Sequence, residues 1–547
     1  MVTHDEQPFS RLDIGFARFL SERCPLSGER KSRFERLLMQ LSARQAAGHS
    51  CVSLATEDLA LVESSGLTTG GERVMPLVIE NSRLYLHRYW RYEQRLAEQL
   101  SALCDRHFAT ARLDEFLNRY FTSNDGGVDW QRRAAQSAAT QALTIITGGP
   151  GTGKTTTVVK ILALLQEIAE QSLHIALAAP TGKAAMRLQE AIAINKDGLP
   201  CSQDIKNRIP EKVTTLHSLL GARPPSPYFR HCADQPLPYD LLVVDETSMV
   251  DLALMSKLVD ALKPGARLIL LGDKDQLASV ESGAVLADLT LGLPRQTVEL
   301  LRSHRFQGDI KTLADAVNQQ LGEQAWQLLQ NPAADASLLT ADPVDFSVEH
   351  YLDYLALMNS GADFPDVFAA FNRFQVLCSN LRGPNSVSDI NHRVEQELCR
   401  RNKIRPGGLW YPGRPVMITA NNPGIQLYNG DIGLCMADAE SDGQLRVFFL
   451  RGDGSVKKLL PARVLACETV FAMTIHKSQG SEFERVLIML PERINPVLSK
   501  ELLYTAVTRA KAQVKIAADL AAFLASIAHK VQRDSGLADK LLALNNE

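Results

Sequence analysis

Ala142-Leu143-Thr144-Ile145-Ile146-Thr147-Gly148-Gly149-Pro150-Gly151-Thr152-Gly153-Lys154-Thr155 is the stretch on which the fold of this 547-residue chain turns. Its first six residues are mostly apolar and predict a buried strand. From Thr155 to Ala169, Val158, Leu162, Leu165 and Ile168 recur at helical spacing and predict a helix with one apolar side. Between them lies G-x-x-x-x-G-K-T. Glycines let the backbone curl so that successive N–H groups point at phosphate oxygens, and the following helix N-terminus adds positive potential. In this reading Gly148, Gly149, Pro150, Gly151, Thr152 and Gly153 form the cradle. Lys154 reaches the β- and γ-phosphates, and the Thr155 hydroxyl holds Mg²⁺.

Working outward, further strand-like runs occur at Ile175–Ala179, Leu241–Val244 and Leu268–Leu271, each separated from the next by helical sequence. That alternation predicts a parallel sheet covered on both faces. A second such set starts at Phe374–Ser379 and resumes at Val486–Leu490 and Val514–Ala517. Between its halves, Asn429-Gly430, Asp442-Gly443 and Asp453-Gly454 are turn dipeptides separating short β-type runs at Pro415–Thr419, Arg446–Leu450 and Val456–Leu460. They predict a small all-β, SH3-like insert. A shorter insert, Gly221 to Tyr239, holds five prolines and three aromatics, which fits a protruding hairpin. Before about Gly127 the chain carries helical runs at Phe34–Ala47 and Tyr92–Cys104, and a strand-like aromatic piece at Leu84–Trp90, with no catalytic motif.

Composition narrows the classes. Apolar residues at 45% and charged residues at 22% exclude a disordered or collagenous chain. Lys+Arg 59 against Asp+Glu 62 leaves a net charge of −3, so any nucleic-acid site must be a local channel and not a global basic field. Nine cysteines without a CxxC pair predict reduced thiols, neither a disulfide frame nor a zinc site. No apolar stretch approaches about 18 residues, and the first residues show no secretory pattern, so the expected location is the cytosol and not a membrane.

Three further motifs carry chemistry. Leu241-Leu242-Val243-Val244 runs directly into Asp245-Glu246, and adjacent carboxylates at a strand end repel unless something uses them. Asp245 is expected to partner Mg²⁺ and Glu246 to act as the base that polarises water. After Leu270-Leu271-Gly272 comes Asp273-Lys274-Asp275-Gln276, where Gln276 could sense the γ-phosphate. Arg305 and Arg509 are candidate arginine fingers, Arg509 lying in the second α/β set. A nucleotide clamped between the two sets would couple hydrolysis to closure.

Together these motifs resemble the superfamily 1 helicases from about Asp129 to Lys511, in the family's order. Trp130-Gln131 resembles the adenine-reading motif, with Gln131 as its reader. Ala179-Pro180-Thr181-Gly182-Lys183-Ala184-Ala185 and Thr215-Leu216-His217 resemble DNA-contact motifs. So does the start of Met473-Thr474-Ile475-His476-Lys477-Ser478-Gln479-Gly480-Ser481-Glu482-Phe483. The resemblance assigns DNA contact to Thr181, His217, Thr474, His476 and Lys477, and ribose contact to Glu482. Backbone N–H groups and hydroxyls with few charges also suit sequence-independent phosphate gripping. Phe306, Trp410 and Tyr411 could stack on bases.

Within the superfamily, the wording of the motifs and Arg83-Leu84-Tyr85-Leu86 to Trp90 resemble the RecD family of exonuclease V (RecBCD) subunits. That resemblance implies an ATP- and Mg²⁺-dependent 5′-to-3′ DNA helicase acting on single-stranded DNA at a duplex end. Its partners would be a nuclease-helicase (beta) and a scaffold (gamma) subunit in a heterotrimer, and its work double-strand break repair by homologous recombination. The rivals are a stand-alone helicase of the superfamily and an ATP-gated scaffold. The expected organisation is a helical partner-docking domain at 1–114 and a RecA-like core at 115–330 with a pin at about 221–240. A second RecA-like core takes 331–384 and 474–547, with the β-rich insert at 385–473.

Overall fold

The computed structural model describes residues 9–68, 74–110, 112–121, 128–279, 281–302, 308–452 and 454–546. The chain is mixed α/β, built on two parallel sheets. In the first, six strands lie in the order Val213–Thr215, Ile175–Ala179, Leu241–Val244, Arg267–Gly272, Leu143–Thr147, Thr297–Glu299. Every neighbouring pair is parallel, with Ile145 opposite Leu270 and Ile175 opposite Leu241. Alternate residues feed two apolar layers. Ile146, Leu177, Val243 and Ile269 pack against Val158 and Leu162 of the helix Lys154–Ile168. Ile145, Ala178, Leu242 and Leu270 face Met255 and Leu258 of the helix Leu252–Asp260. Burial on both faces is why these strands read as unbroken apolar runs. Because all run the same way, Thr147, Val244 and Gly272 end at one edge, and the loops that follow converge there.

The second sheet orders its strands Ala336–Leu338, Ala510–Ala517, Phe483–Met489, Phe374–Cys378, Ala472–Thr474, again all parallel. The insert is a five-stranded antiparallel sheet ordered Val456–Leu459, Gln444–Leu450, Ile432–Asp438, Pro415–Ile418, Cys467–Thr469. One face closes a small core of Val416, Ile418, Val447 and Phe449. The other, with Met417, Leu434 and Phe448, joins the second sheet's core.

Packing departs from the expected divisions in four places. The helices Asp309–Asn318 and Gly322–Leu329, expected before a boundary at 330, bury Leu313, Val317 and Leu329 in the second sheet's core. The helix Val387–Arg400, expected in the β-rich insert, buries Val387, Ile390 and Val394 there too. His87–Cys104 is helical from His87 onward, so Tyr89 and Trp90 do not continue the strand Arg83–Leu86. That helix packs Leu96 and Leu100 under the first sheet, although it was expected in the N-terminal domain. Finally, the last helix, Leu537–Asn546, leaves the second core and returns to the first. A Cβ on Gly292 would stand 2.7 Å from Leu541 Cβ, which measures how closely the two backbones approach.

The proline-rich insert at 221–239 forms isolated antiparallel bridges, Ala222 to Phe229 and Cys232 to Gln235, with Tyr228 exposed in the loop that the first bridge closes. All nine cysteines are free. Among the described residues, no helix is long and apolar enough to cross a membrane.

Candidate active site

The Gly-rich turn is held by conformations that only glycine adopts cheaply. Gly151 and Gly153 have φ of 75° and 81°, and Gly153 is the N-cap of the helix that Lys154 opens. Gly149 is tight for a different reason: a Cβ there would lie 3.0 Å from Tyr504 Oη, which comes from the second core. Lys154 Nζ donates to the carbonyl oxygens of Gly148 at 2.5 Å and Gly149 at 3.0 Å. Thr152 Oγ1 donates to Gly149 O at 2.9 Å and so braces the turn. Burial holds the Lys154 ammonium below its ordinary pKa, and the nearby Asp273 charge works against that.

At the end of the strand Leu241–Val244, the Glu246 N–H donates to Asp245 Oδ1 at 2.9 Å. Burial, then the Glu246 charge, pushes Asp245 up to about 6. Glu246 sits in the left-handed region at φ 50°, ψ 42°, a conformation that side-chain-bearing residues adopt mainly where surrounding structure enforces it.

The loop after Gly272 is the seam between the cores. Gln276 Nε2 donates to Asp273 Oδ2 at 2.9 Å, and Gln276 Oε1 accepts from Arg509 Nη2 at 2.8 Å. Tyr504 Oη donates to Asp273 Oδ2 at 3.2 Å. One residue on, the Leu277 N–H donates to Thr505 Oγ1 at 3.0 Å and its carbonyl accepts from Gln479 Nε2 at 2.9 Å. Arg509 is only 2% exposed, and its Nε and Nη1 donate to the carbonyls of Thr505 and Ser481 at 3.1 and 3.2 Å. Burial lowers its pKa, yet a guanidinium stays charged.

These groups surround a cleft of about 560 Å³. From the first core it is lined by Gln131, Pro150, Gly151, Gly153, Lys154, Thr155, Asp245, Glu246 and Gln276, and from the second by Glu482 and Arg509. Gly148, Gly149 and Thr152 stand behind that wall as the turn's scaffold. Arg305 and Phe306 lie outside the described residues. Arg187, Asn195 and Asp273 are among the lining residues that the sequence did not announce. Arg187 pairs with Glu482 across the cleft, and Asn195 Oδ1 accepts from Thr156 Oγ1 at 3.2 Å. On a helix such as Gly182–Lys196 a lone Arg or Asn reads as a solvated position. Tyr504, which reaches across the seam without lining the cleft, was also missed.

The residues expected to touch DNA are less concentrated. Thr181 N-caps Gly182–Lys196, its Oγ1 accepting from the Ala184 N–H at 3.2 Å. His217 sits on the short helix Leu216–Leu220, its ring edge-on to Phe229 at 5.7 Å. Thr474 Oγ1 accepts from the Lys477 N–H at 3.3 Å, and Lys477 Nζ pairs with Glu468 at 2.7 Å. His476 lines a different cavity, of about 710 Å³, with Leu277, Ser279 and Arg533. Thr181 and His217 follow strands and Thr474 ends one, all at the ends of the sheets where the other loops emerge. Tyr411 is 2% exposed and belongs to the second core, which removes it as a stacking platform. Trp410 packs on the insert's small core under the Arg414 guanidinium.

Two parallel cores meeting over a Gly-rich phosphate turn, with paired acids at a strand end and an arginine supplied by the opposite core, define a helicase-type P-loop NTPase. The chain matches a family described as an AAA domain over residues 131–282, and a UvrD-like helicase C-terminal domain over residues 469–517. It is 42% identical over 468 residues to the RecBCD enzyme subunit RecD of Mycolicibacterium smegmatis, covering 84% of this chain and 82% of that one. To the RecBCD enzyme subunit RecD of Haemophilus influenzae it is 36% identical, with 86% and 82% covered. To the ATP-dependent RecD2 DNA helicase of Deinococcus radiodurans it is 29% identical, covering 92% of this chain and 68% of that one. This chain belongs to the RecD family of helicases, and it binds nucleotide.

Proposed function

We propose that the chain hydrolyses ATP with Mg²⁺ between its two cores and uses the resulting opening and closing to move along single-stranded DNA from 5′ to 3′. The observation that carries this reading is the hydrogen-bonded path Arg509–Gln276–Asp273, which crosses the seam beside the phosphate turn. The β- and γ-phosphates would take the place of the Gly148 and Gly149 carbonyls on Lys154. Gln131 reads the adenine and Glu482 accepts from the ribose. Glu246 takes a proton from the attacking water. That water's oxygen bonds to the γ-phosphorus, the bond to the β–γ bridging oxygen breaks, and ADP leaves with the electron pair. Arg509, and Arg305 outside the described residues, would meet the charge that develops, and Gln276 would sense its loss.

The lining residues suit a divalent cation. Lys154, Arg187 and Arg509 face four carboxylates, those of Asp245, Glu246, Asp273 and Glu482. That charge balance is wrong for a polyanion unless a further positive charge enters with it. Among the described residues no cluster of three or more His, Cys, Asp or Glu side chains could hold an ion alone. This is in keeping with Mg²⁺, which takes one or two carboxylates and completes its shell with phosphates and water. Asp245 and Thr155 would hold it, and it would draw charge off the phosphate oxygens.

Thr181, His217, Thr474, His476 and Lys477 grip the DNA backbone, and the exposed insert around Tyr228 acts as the wedge at the duplex junction. The relatives' names place them in RecBCD. On that ground we assign this chain to a cytosolic heterotrimer with a nuclease-helicase and a scaffold subunit, working at duplex ends in double-strand break repair by homologous recombination. ATP turnover measured with and without single-stranded DNA tests the site. Wild-type turnover should rise with DNA, and Lys154→Gln should abolish it with the fold intact. Normal turnover in that variant would overturn the assignment.

A further inference from the structure

Arg187 belongs to the helix Gly182–Lys196 of the first core, and its guanidinium enters the nucleotide cleft. There it forms an ion pair with Glu482 of the second core, whose other carboxylate oxygen lies 3.6 Å from Lys511 Nζ. Glu482 is not its only charged neighbour. The Glu246 and Asp245 carboxylates and the Arg509 guanidinium all act on it, Glu246 the most strongly. Lys154 in turn feels the Arg187 charge. Three cations from three separate segments, Lys154, Arg187 and Arg509, therefore share one partly dehydrated cleft with four carboxylates, where an incoming phosphate competes with a carboxylate for each of them.

Resting on the ATP reading above, we propose that Arg187 is a direct contact of the nucleotide's terminal phosphate, which it reaches by exchanging Glu482 for phosphate oxygens. The chemistry favours such an exchange. A guanidinium presents a planar fork that matches phosphate as well as carboxylate, and a phosphate dianion offers it more charge than one carboxylate does. The exchange has two consequences. It releases Glu482 to accept from the ribose hydroxyls. It also replaces a direct tie between the cores with one that runs through the nucleotide, so the cores register whether a γ-phosphate is present.

The test compares β,γ-imido-ATP with ADP in binding to the full chain, together with kcat for ATP. Arg187→Gln should weaken β,γ-imido-ATP at least tenfold, by about the margin expected for a lost charge-assisted contact. ADP should stay within about twofold, since the contact is to the γ-phosphate alone. Its kcat should fall at least about 10²-fold, as when an arginine finger is removed. Arg187→Lys, which keeps the charge and loses the fork, should recover binding more than rate. Glu482→Gln should lower the ratio of β,γ-imido-ATP to ADP affinity less than Arg187→Gln does, because it loses the ribose contact and leaves Arg187 free for the γ-phosphate. An unchanged ratio of β,γ-imido-ATP to ADP affinity in Arg187→Gln would overturn the proposal. So would a Glu482→Gln variant that shifts the ratio equally, because Arg187 would then act only by holding Glu482. Lys154→Gln is run alongside. If it loses turnover while Arg187→Gln keeps its ratio, only the Arg187 contact fails. If it turns over normally, the whole site reading fails with it.

Discussion

Arg509 Nη2 donates to Gln276 Oε1 at 2.8 Å, joining the helix-end arginine of the second core to the loop that follows the strand Arg267–Gly272 of the first. The bond spans the seam between the cores, so the pair reports whether they are closed. Arg509→Ala and Gln276→Ala should each slow hydrolysis, Arg509→Ala by about 10³-fold, with ATP binding retained. Because they act as one unit, the double variant should be little worse than Arg509→Ala alone. Fully additive losses in kcat would show that the hydrogen bond couples nothing.

The phosphate turn is watched by a residue of the opposite core. A Cβ at Gly149 would stand 3.0 Å from Tyr504 Oη, so Gly149→Ala must displace Tyr504 and its hydrogen bond to Asp273. Turnover should drop in Gly149→Ala and recover in part when Tyr504→Phe removes the crowding oxygen. If the second substitution only deepens the loss, the two residues do not meet during the cycle.

Acid and metal are linked at Asp245. Its folded pKa is raised from 3.8 to about 6 by burial and by the Glu246 charge. Without metal, its contribution to stability is therefore present in full below about 3.8 and lost as pH rises through about 6. Asp245→Asn cannot ionise, so it should melt above wild type at pH 8, with the gap closing by pH 4. The Mg²⁺ concentration needed for half-maximal turnover should climb as pH falls below about 6. A melting difference that is the same at both pH values would contradict this.

Glu246 holds a left-handed backbone at φ 50°, which costs a side-chain-bearing residue about 1–2 kcal/mol. Asn tolerates that region better, and Glu246→Asn also removes the charge that repels Asp245. The variant should melt no lower than wild type while losing hydrolysis. A marked fall in Tm, or retained turnover, would show that Glu246 is there for structure and not for water.

What could be read from sequence follows from burial. Strands such as Ile175–Ala179 and Leu241–Val244 are apolar on both faces and bounded by His174 and Pro180 or by Asp240 and Asp245, so their limits are visible in the residues alone. Val213–Thr215, Thr297–Glu299, Ala336–Leu338 and Ala472–Thr474 are three-residue edge or near-edge strands, too short to carry a period. Their pairing is decided by neighbours far away in sequence. The same holds for Leu537–Asn546, whose apolar face fits the first core only because the chain crosses back to it. At the site, residues whose chemistry is local, Lys154 and Asp245-Glu246, were legible from spacing. Asp273, Tyr504 and Arg187 gain their meaning from groups that tertiary structure brings to them, and no local pattern announces that.

Unwinding of a duplex with either a 5′ or a 3′ single-stranded tail, by the purified chain with ATP and Mg²⁺, tests the motor most directly. The account predicts that only the 5′-tailed duplex opens and that Lys154→Gln opens neither. Opening of the 3′-tailed duplex alone, or unwinding that survives Lys154→Gln, would contradict it.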